Sequence, residues 1–489
     1  MSLTKENSFE SIVGCATAPG RSAISLIRVS GNREHILKII KNHFQLKGEP
    51  SPALSHPGQM KRALFFENLN VQKNALDDVM ICWFEGPHSY TGDDVLEIYC
   101  HGNPVLVREI IGALQQSECR LAEPGEFSKR AFLNGKMDLI QAESVCQTIN
   151  AQSKQALLAI RSQNEGQFSN QVKSIRKRIL DLLSWIEADI DFGDREVDDV
   201  VPLPAQNLKK NLKVIMDQID HFSSLLNRSR ILQDGLKIIL LGKPNVGKSS
   251  LLNLLCGKER ALVDHEPGTT RDYLEASFDL EGIPCQVIDT AGFNLLAKDV
   301  ELKGIEKTKN CLEKAHLVLA IFDQSRPLNK EDQEMIHLLK GQHIPLLAIQ
   351  NKIDLPLKFK NSELKEFLFP LEKECKGIVH ISALTKSGFG ELLNKLSDNL
   401  KDILGAEEFA SEAVITARQG QIFSEVYNLL QHAYHTLEKG FGMECITFDL
   451  RNAINGLSRM LGREIGKSNQ PIEMEEVLDQ VFSKFCIGK

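Results

Sequence analysis

The chain has 489 residues, 42% of them hydrophobic and 25% charged, with a net charge of −7. That length exceeds what one core organises and predicts roughly three domains, each large enough to fold without covalent staples. The mild acidity excludes a uniformly basic nucleic-acid coat, although 58 Lys and Arg residues suffice for a local basic face.

Eleven cysteines with no C-x-x-C pair and no metal-ligand spacing predict reduced thiols in a cytoplasmic protein. Met1–Glu10 is polar and lacks the apolar core of a signal peptide, and no apolar run has bilayer length, so no membrane partner is expected. The terminal Cys486-Ile487-Gly488-Lys489 has the spacing of a prenylation box, but Gly in the aliphatic position and Lys at the end do not fit it.

From Ser8 to about Leu133, short β-like runs alternate with Gly and Pro: Ala23–Val29, Val79–Trp83 and Val95–Cys100, with a helical stretch at Pro104–Gln116. This predicts an α+β domain over 1–134. Ile175, Ile179, Leu182, Ile186 and Ile190 then recur at three and four residue intervals, the signature of an amphipathic helix. The carboxylates Asp189, Asp191, Asp194, Glu196, Asp198 and Asp199 read as a solvated loop following that helix, since they lack complementary metal ligands.

From Gly235 the pattern becomes strand-loop-helix, with apolar runs at Leu236–Leu241, Gln286–Ile288, Leu317–Phe322, Leu346–Gln350 and Ile378–Ile381. That alternation predicts a mostly parallel sheet covered by helices. Helical patterning returns after Asp402. The fold class expected is therefore multi-domain α/β plus all-α. A discontinuous helical domain, 135–232 and 403–489, carries an inserted Ras-like nucleotide domain at 233–402.

The loop Gly242-Lys243-Pro244-Asn245-Val246-Gly247-Lys248-Ser249 follows the first of those strands and matches G-x-x-x-x-G-K-S. Its glycines let backbone N–H groups turn onto phosphates, Lys248 supplies a point charge, and Ser249 supplies a hydroxyl for Mg²⁺. Asn245, Val246, Gly247, Lys248, Ser249 and Ser250 are the expected phosphate contacts. Asp289, Thr290, Ala291 and Gly292 end the next strand, where the carboxylate reaches Mg²⁺ through water and the Gly N–H meets the γ-phosphate.

Asn351, Lys352 and Asp354 form N-K-x-D, whose last carboxylate pairs with the N1–H and N2–H₂ of guanine; adenine would leave it unpaired. Ser382, Ala383 and Leu384 cap the base. Between these lies Asp264, His265, Glu266, Pro267, Gly268, Thr269 and Thr270, a switch segment in which Thr270 is the second Mg²⁺ hydroxyl.

Phe293 occupies the position where many relatives carry a water-orienting Gln, and no arginine finger is evident. Another positive charge must then offset the charge developing between the β- and γ-phosphates. Asn245, with the carbonyls of Asp264 to Thr269, is the expected potassium site, to which Asp264, Glu266 and Thr269 contribute beside Asn245.

In this order the motifs specify a GTPase, and the whole chain resembles the bacterial tRNA-modification GTPase family MnmE, also called TrmE. The resemblance rests on Ala18-Pro19-Gly20-Arg21, Ser89-Tyr90-Thr91-Gly92-Asp93-Asp94, His101-Gly102, Pro124-Gly125-Glu126-Phe127-Ser128 and Arg130-Ala131-Phe132-Leu133-Asn134. Gly268-Thr269-Thr270-Arg271-Asp272 and the terminal Phe485-Cys486-Ile487-Gly488-Lys489 complete it.

The resemblance implies an N-terminal domain that dimerises and binds a tetrahydrofolate derivative, 5-formyl or 5,10-methylene. It also implies a homodimer that joins an FAD-dependent partner, MnmG or GidA, in a heterotetramer or larger assembly. With tRNA as the substrate, that complex adds an aminomethyl-type (carboxymethylaminomethyl) group to C5 of wobble uridine 34. By position, Arg28, Glu97, Lys136 and Lys489 are the implied folate contacts. Glu301 is the implied support of the attacking water, with Lys248 and Asn245 as the other catalytic groups.

Asn294 stands where some members carry Arg, so no basic contribution is expected from that loop. Cys486 invites a role in the modification, yet no activating base is identifiable beside it, and a positioning role is the expected one. Two further function classes share some of these features: a ribosome-assembly switch GTPase and a folate-dependent methyltransferase. No KH-type G-x-x-G clamp follows the nucleotide domain to support the first.

Overall fold

The computed structural model describes residues 10–46, 57–69, 74–192, 205–257, 274–289, 312–313, 315–404, 414–439, 443–462 and 471–488. The chain forms two compact units. Met1–Ile149, Gln163–Ile219 and Ile422–Lys489 make the first, and Asn150–Ser162 with Asp220–Gln421 the second.

Among the described residues the first unit contains a seven-stranded sheet. Its strands are β1 (Ile12–Cys15), β2 (Ile24–Gly31), β3 (Phe44–Leu46), β4 (Met60–Phe65), β5 (Asp77–Phe84), β6 (Asp94–His101) and β7 (Arg120–Leu121), in the order β3-β4-β5-β6-β2-β1-β7. All neighbours are antiparallel except β1 and β7. Period-two alternation puts Ile27, Val29, Ile81, Trp83, Leu96 and Ile98 into one core with Ile36, Ile39 and Ile40 of helix Arg33–His43 and Ile110 and Leu114 of helix Pro104–Gln116. The latter helix starts where predicted, because the Asn103 side chain accepts from the Val105 N–H and Pro104 fills the first position.

The chain's end returns to this unit. Leu478, Val481, Phe482 and Phe485 share a buried cluster with Leu139 and Ala142. Burying each of those phenylalanines is worth roughly 2 kcal/mol. Gly125 (φ +69°) precedes helix Glu126–Leu133 and has to be Gly, since a Cβ there would lie 2.7 Å from the Phe482 carbonyl oxygen.

Among its described residues the second unit holds six strands: β8 (Leu236–Leu241), β9 (Leu274–Leu280), β10 (Ile283–Asp289), β11 (Leu317–Asp323), β12 (Leu346–Asn351) and β13 (Cys375–His380), ordered β13-β12-β11-β8-β10-β9. Only β9 runs antiparallel. Both faces are covered: Ile238 and Leu240 belong to one core, Ile239 and Leu241 to the other. This is why β8 and β11 read as continuous apolar runs rather than alternating ones.

Two readings of the sequence are corrected. Asp189 and Asp191 lie within helix Gln167–Phe192, which runs past the last apolar repeat, so they belong to its final turn and not to a loop; the remaining carboxylates of that cluster lie outside the described residues. Strands β1, β3, β4, β7 and β9 carried too little pattern to be predicted.

Candidate functional site

The nucleotide loop sits at the carboxyl end of the parallel strands, where α/β sheets bind ligands. β8 ends at Leu241 and the chain turns through Gly242, whose absent Cβ would lie 2.7 Å from the Ile321 carbonyl oxygen. Asn245 adopts a left-handed backbone (φ +64°), which Asn tolerates better than most residues. Gly247 (φ +103°) precedes helix Lys248–Cys256. A Cβ on it would lie 2.2 Å from Asn351 Nδ2.

Lys248 is buried, and its Nζ donates to the carbonyls of Gly242 (2.7 Å) and Lys243 (2.8 Å). Burial lowers its pKa, partly opposed by the charge of Asp289. Ser249 Oγ donates to Asp289 Oδ2 at 3.1 Å, joining the loop hydroxyl to the carboxylate that ends β10. A hydroxyl from the first turn of helix Lys248–Cys256 and the carboxylate that ends β10 fit a magnesium ion that keeps its other positions for water and phosphate.

Asn351 is the hub of the site. It is buried at the end of β12, its Nδ2 donates to the Val246 carbonyl (2.7 Å), and its Oδ1 accepts from the Ala383 N–H (3.0 Å). One amide therefore holds the phosphate loop against both segments expected to contact the base. Lys352 is left-handed (φ +68°) and donates to Asp323 Oδ2 at 2.7 Å. Asp354 is exposed. Ser382 is fully buried, its N–H donating to the Ser387 carbonyl and its Oγ accepting from Thr385, whereas Leu384 is 83% exposed.

Sequence reasoning missed two partners here. Lys243 ties the loop to the start of helix Lys330–Leu339 through Asp332 Oδ2 (2.6 Å) and Asn329 Oδ1 (3.1 Å), which also cap that helix. Asp323 and Gln324 brace the segment after β12. The available signal was the polar pair Asp323-Gln324 after the apolar run Leu317–Phe322.

The residues Asp264, His265, Glu266, Pro267, Gly268, Thr269 and Thr270 lie outside the described residues, as do Thr290, Ala291, Gly292, Glu301 and Lys489.

In the first unit, the antiparallel register of β2 and β6 sets Arg28 opposite Glu97. Arg28 Nε and Nη2 donate to Glu97 Oε1 at 3.1 and 2.8 Å, and Nη1 donates to the Gly488 carbonyl at 3.2 Å. The guanidinium lies 5.3 Å from the Tyr90 ring centroid and 5.8 Å from that of Phe127. Tyr99 donates to the other oxygen of Glu97 at 2.7 Å. Burial, with that bond and the carboxylate's charge, pushes the phenol up to about 12, so it stays a donor.

The tail approaches closely because Gly488 (φ +93°) lacks a Cβ that would meet the Cys15 carbonyl oxygen at 2.5 Å. Lys136 Nζ donates to the Pro87 carbonyl at 2.7 Å. Cys486 is exposed, with its carbonyl accepting from the Gly125 N–H.

Two family models match the chain: the GTP-binding protein TrmE N-terminus over residues 11–136 and the MnmE helical domain over residues 139–486. Among curated relatives, the tRNA modification GTPase MnmE of Clostridioides difficile strain 630 is 34% identical over 482 residues, covering 98% of this chain and 99% of that protein. Proteins of the same name are 35% identical over 483 residues in Symbiobacterium thermophilum and 33% over 482 in Aquifex aeolicus, covering 98% of this chain and 99% and 100% of those proteins. Matched along nearly its whole length by relatives and by both family models, this chain belongs to the MnmE (TrmE) family.

Proposed function

We propose that the chain is a GTPase of tRNA modification that hydrolyses GTP to GDP and phosphate. The observation that carries this reading is the Asn351 side chain, bonded at once to the phosphate loop and to Ala383, which assembles one nucleotide site from three loops. In it Lys248 and the loop N–H groups hold the β- and γ-phosphate oxygens, and Asp354 pairs with the guanine N1–H and N2–H₂. Ser249, Asp289 and Thr270 would hold Mg²⁺, which neutralises charge on the phosphates when bound. Asn245 with Asp264, Glu266 and Thr269 would hold a potassium ion, whose charge stands in for an arginine finger. Glu301 orients the attacking water.

At the second site the chain would bind a tetrahydrofolate derivative, 5-formyl or 5,10-methylene, as the one-carbon source. The donor set suits a flat polar heterocycle with an anionic tail: Glu97 accepts, Arg28 donates, and the rings of Tyr90 and Phe127 flank the guanidinium. Lys136 and Lys489 would contribute cations, and Cys486 would position the tail.

Residues 1–134 would serve dimerisation and folate binding, 135–232 and 403–489 would form the helical domain, and 233–402 would bind GTP. In the cytoplasm a homodimer would join the FAD-dependent MnmG, or GidA, in a heterotetramer or larger, and install a carboxymethylaminomethyl-type group at C5 of uridine 34 of certain tRNAs. Among the described residues no helix is long and apolar enough to cross a membrane.

Deleting the chain from its host and measuring wobble nucleosides by mass spectrometry tests the reading. Loss of the C5-modified uridine is expected. An unchanged nucleoside profile with a ribosome-assembly defect would replace it with the switch-GTPase alternative.

A further inference from the structure

The segment Asn351–Lys358 carries the residues proposed to read guanine, and it is braced by two side chains that the reaction itself does not use. Asp323 ends β11 and Gln324 follows it, and both are buried. Asp323 Oδ2 accepts from Lys352 Nζ at 2.7 Å, and Oδ1 accepts from the Ser325 N–H (3.0 Å) and hydroxyl (2.6 Å). Gln324 holds the segment at three points. Its N–H donates to the Asn351 carbonyl (3.0 Å), its Nε2 to the Leu355 carbonyl (2.9 Å), and its own carbonyl accepts from the Lys358 N–H (2.9 Å).

Lys352 needs such a tether, because its left-handed backbone (φ +68°) is unfavourable for a residue with a Cβ and persists only where surrounding bonds fix it. Asp323 meets that need as an anion. Burial alone would raise its pKa, but the bonds from Lys352 and Ser325 outweigh this and hold it below the ordinary carboxylate range. The neighbouring cation Arg326 is exposed and its Nε stands 3.8 Å from Asp323 Oδ2, too far for a hydrogen bond.

We propose that Asp323 and Gln324 are positioning residues for base selection: they fix Lys352 and the backbone of residues 351–358, so that Asp354 meets the 2-amino edge of a guanine. The proposal rests on the guanine reading of this loop. It assigns specificity to the β11 terminus, acting through Lys352 and the backbone of residues 351–358.

The test measures affinities of the full-length protein for fluorescent GDP and for the matching inosine diphosphate, which lacks the 2-amino group, alongside competition by inorganic tripolyphosphate. Asp323→Asn preserves shape while removing the charge. It should lower the GDP-to-inosine-diphosphate affinity ratio by about tenfold, the size of one charge-assisted bond, and leave tripolyphosphate binding unchanged. An unchanged ratio, or equal loss for all three ligands, overturns the proposal, because a merely structural residue would shift them together. Should that variant not fold, Gln324→Met leaves the carboxylate paired and should lower the ratio by about threefold, with an unchanged ratio again decisive against it. A wild-type protein that binds ADP as tightly as GDP would instead refute the guanine reading itself.

Discussion

Replacing Gly247 by Ala probes the hub of the nucleotide site most directly. The new methyl would lie 2.2 Å from Asn351 Nδ2, inside any real contact distance, so the amide must move. Moving it breaks the bonds to the Val246 carbonyl and the Ala383 N–H, together worth about 2 kcal/mol. The left-handed φ of +103° adds about 1 kcal/mol for a residue with a Cβ. The sum, about 3 kcal/mol, is a large part of a domain's usual stability and corresponds to roughly a hundredfold in an equilibrium constant.

Calorimetry of the nucleotide-free protein should therefore show the transition of the second unit lowered by about 6–12 °C. Titration with fluorescent GDP should also show weaker binding, because the displaced loop must be restored when the phosphates bind. Gly390→Ala is the control. Its Cβ would enter open space at the start of helix Phe389–Leu404, so both quantities should stay near wild type. A Gly247→Ala protein with wild-type melting and affinity would refute the reasoning about Asn351.

Gly112 lies inside helix Pro104–Gln116 with nothing within 4 Å of an added Cβ, so Gly112→Ala should stabilise the first unit by about 0.5–1 kcal/mol in urea unfolding; a loss of stability would show that the helix face is occupied. His43 is buried between the Phe66 carbonyl and Ser117 Oγ, and burial lowers its pKa below 6.5. Below about pH 6.5 the unfolded chain takes a proton that the folded one refuses, so stability should fall between about pH 6.5 and the lowered folded value and be flat above. His43→Gln should reduce that slope in unfolding at about pH 7.5 and about 5.5, and an identical slope would exclude this histidine as its source. GTP turnover should be at least about tenfold faster in potassium than in sodium, and equal rates would end the potassium assignment. Glu301→Ala should lower hydrolysis while sparing GTP affinity, and loss of affinity would show that its role is wrong.

The sequence by itself determined the elements whose physics is local. Leu236–Leu241 appears as a strand with the predicted bounds, because a β-rich run buried on both faces and closed by Gly242 has few other solutions. Pro104–Gln116 is likewise legible, since Asn103 and Pro104 mark its start chemically. The phosphate loop follows from residue types that no other arrangement uses in that order.

What tertiary structure decided is which distant residues meet. Arg28 faces Glu97 only because β2 and β6 pair in one register, and a shift by one residue would send their side chains to the opposite face of the sheet. Gly488 reaches Arg28 only because Phe482 and Phe485 are drawn into the cluster around Leu139. Asp323 acquires its partner because β11 and β12 end side by side, which sets its carboxylate beside Lys352. Pairings of this kind depend on closing long loops around a shared core, a long-range free energy that no window of sequence contains.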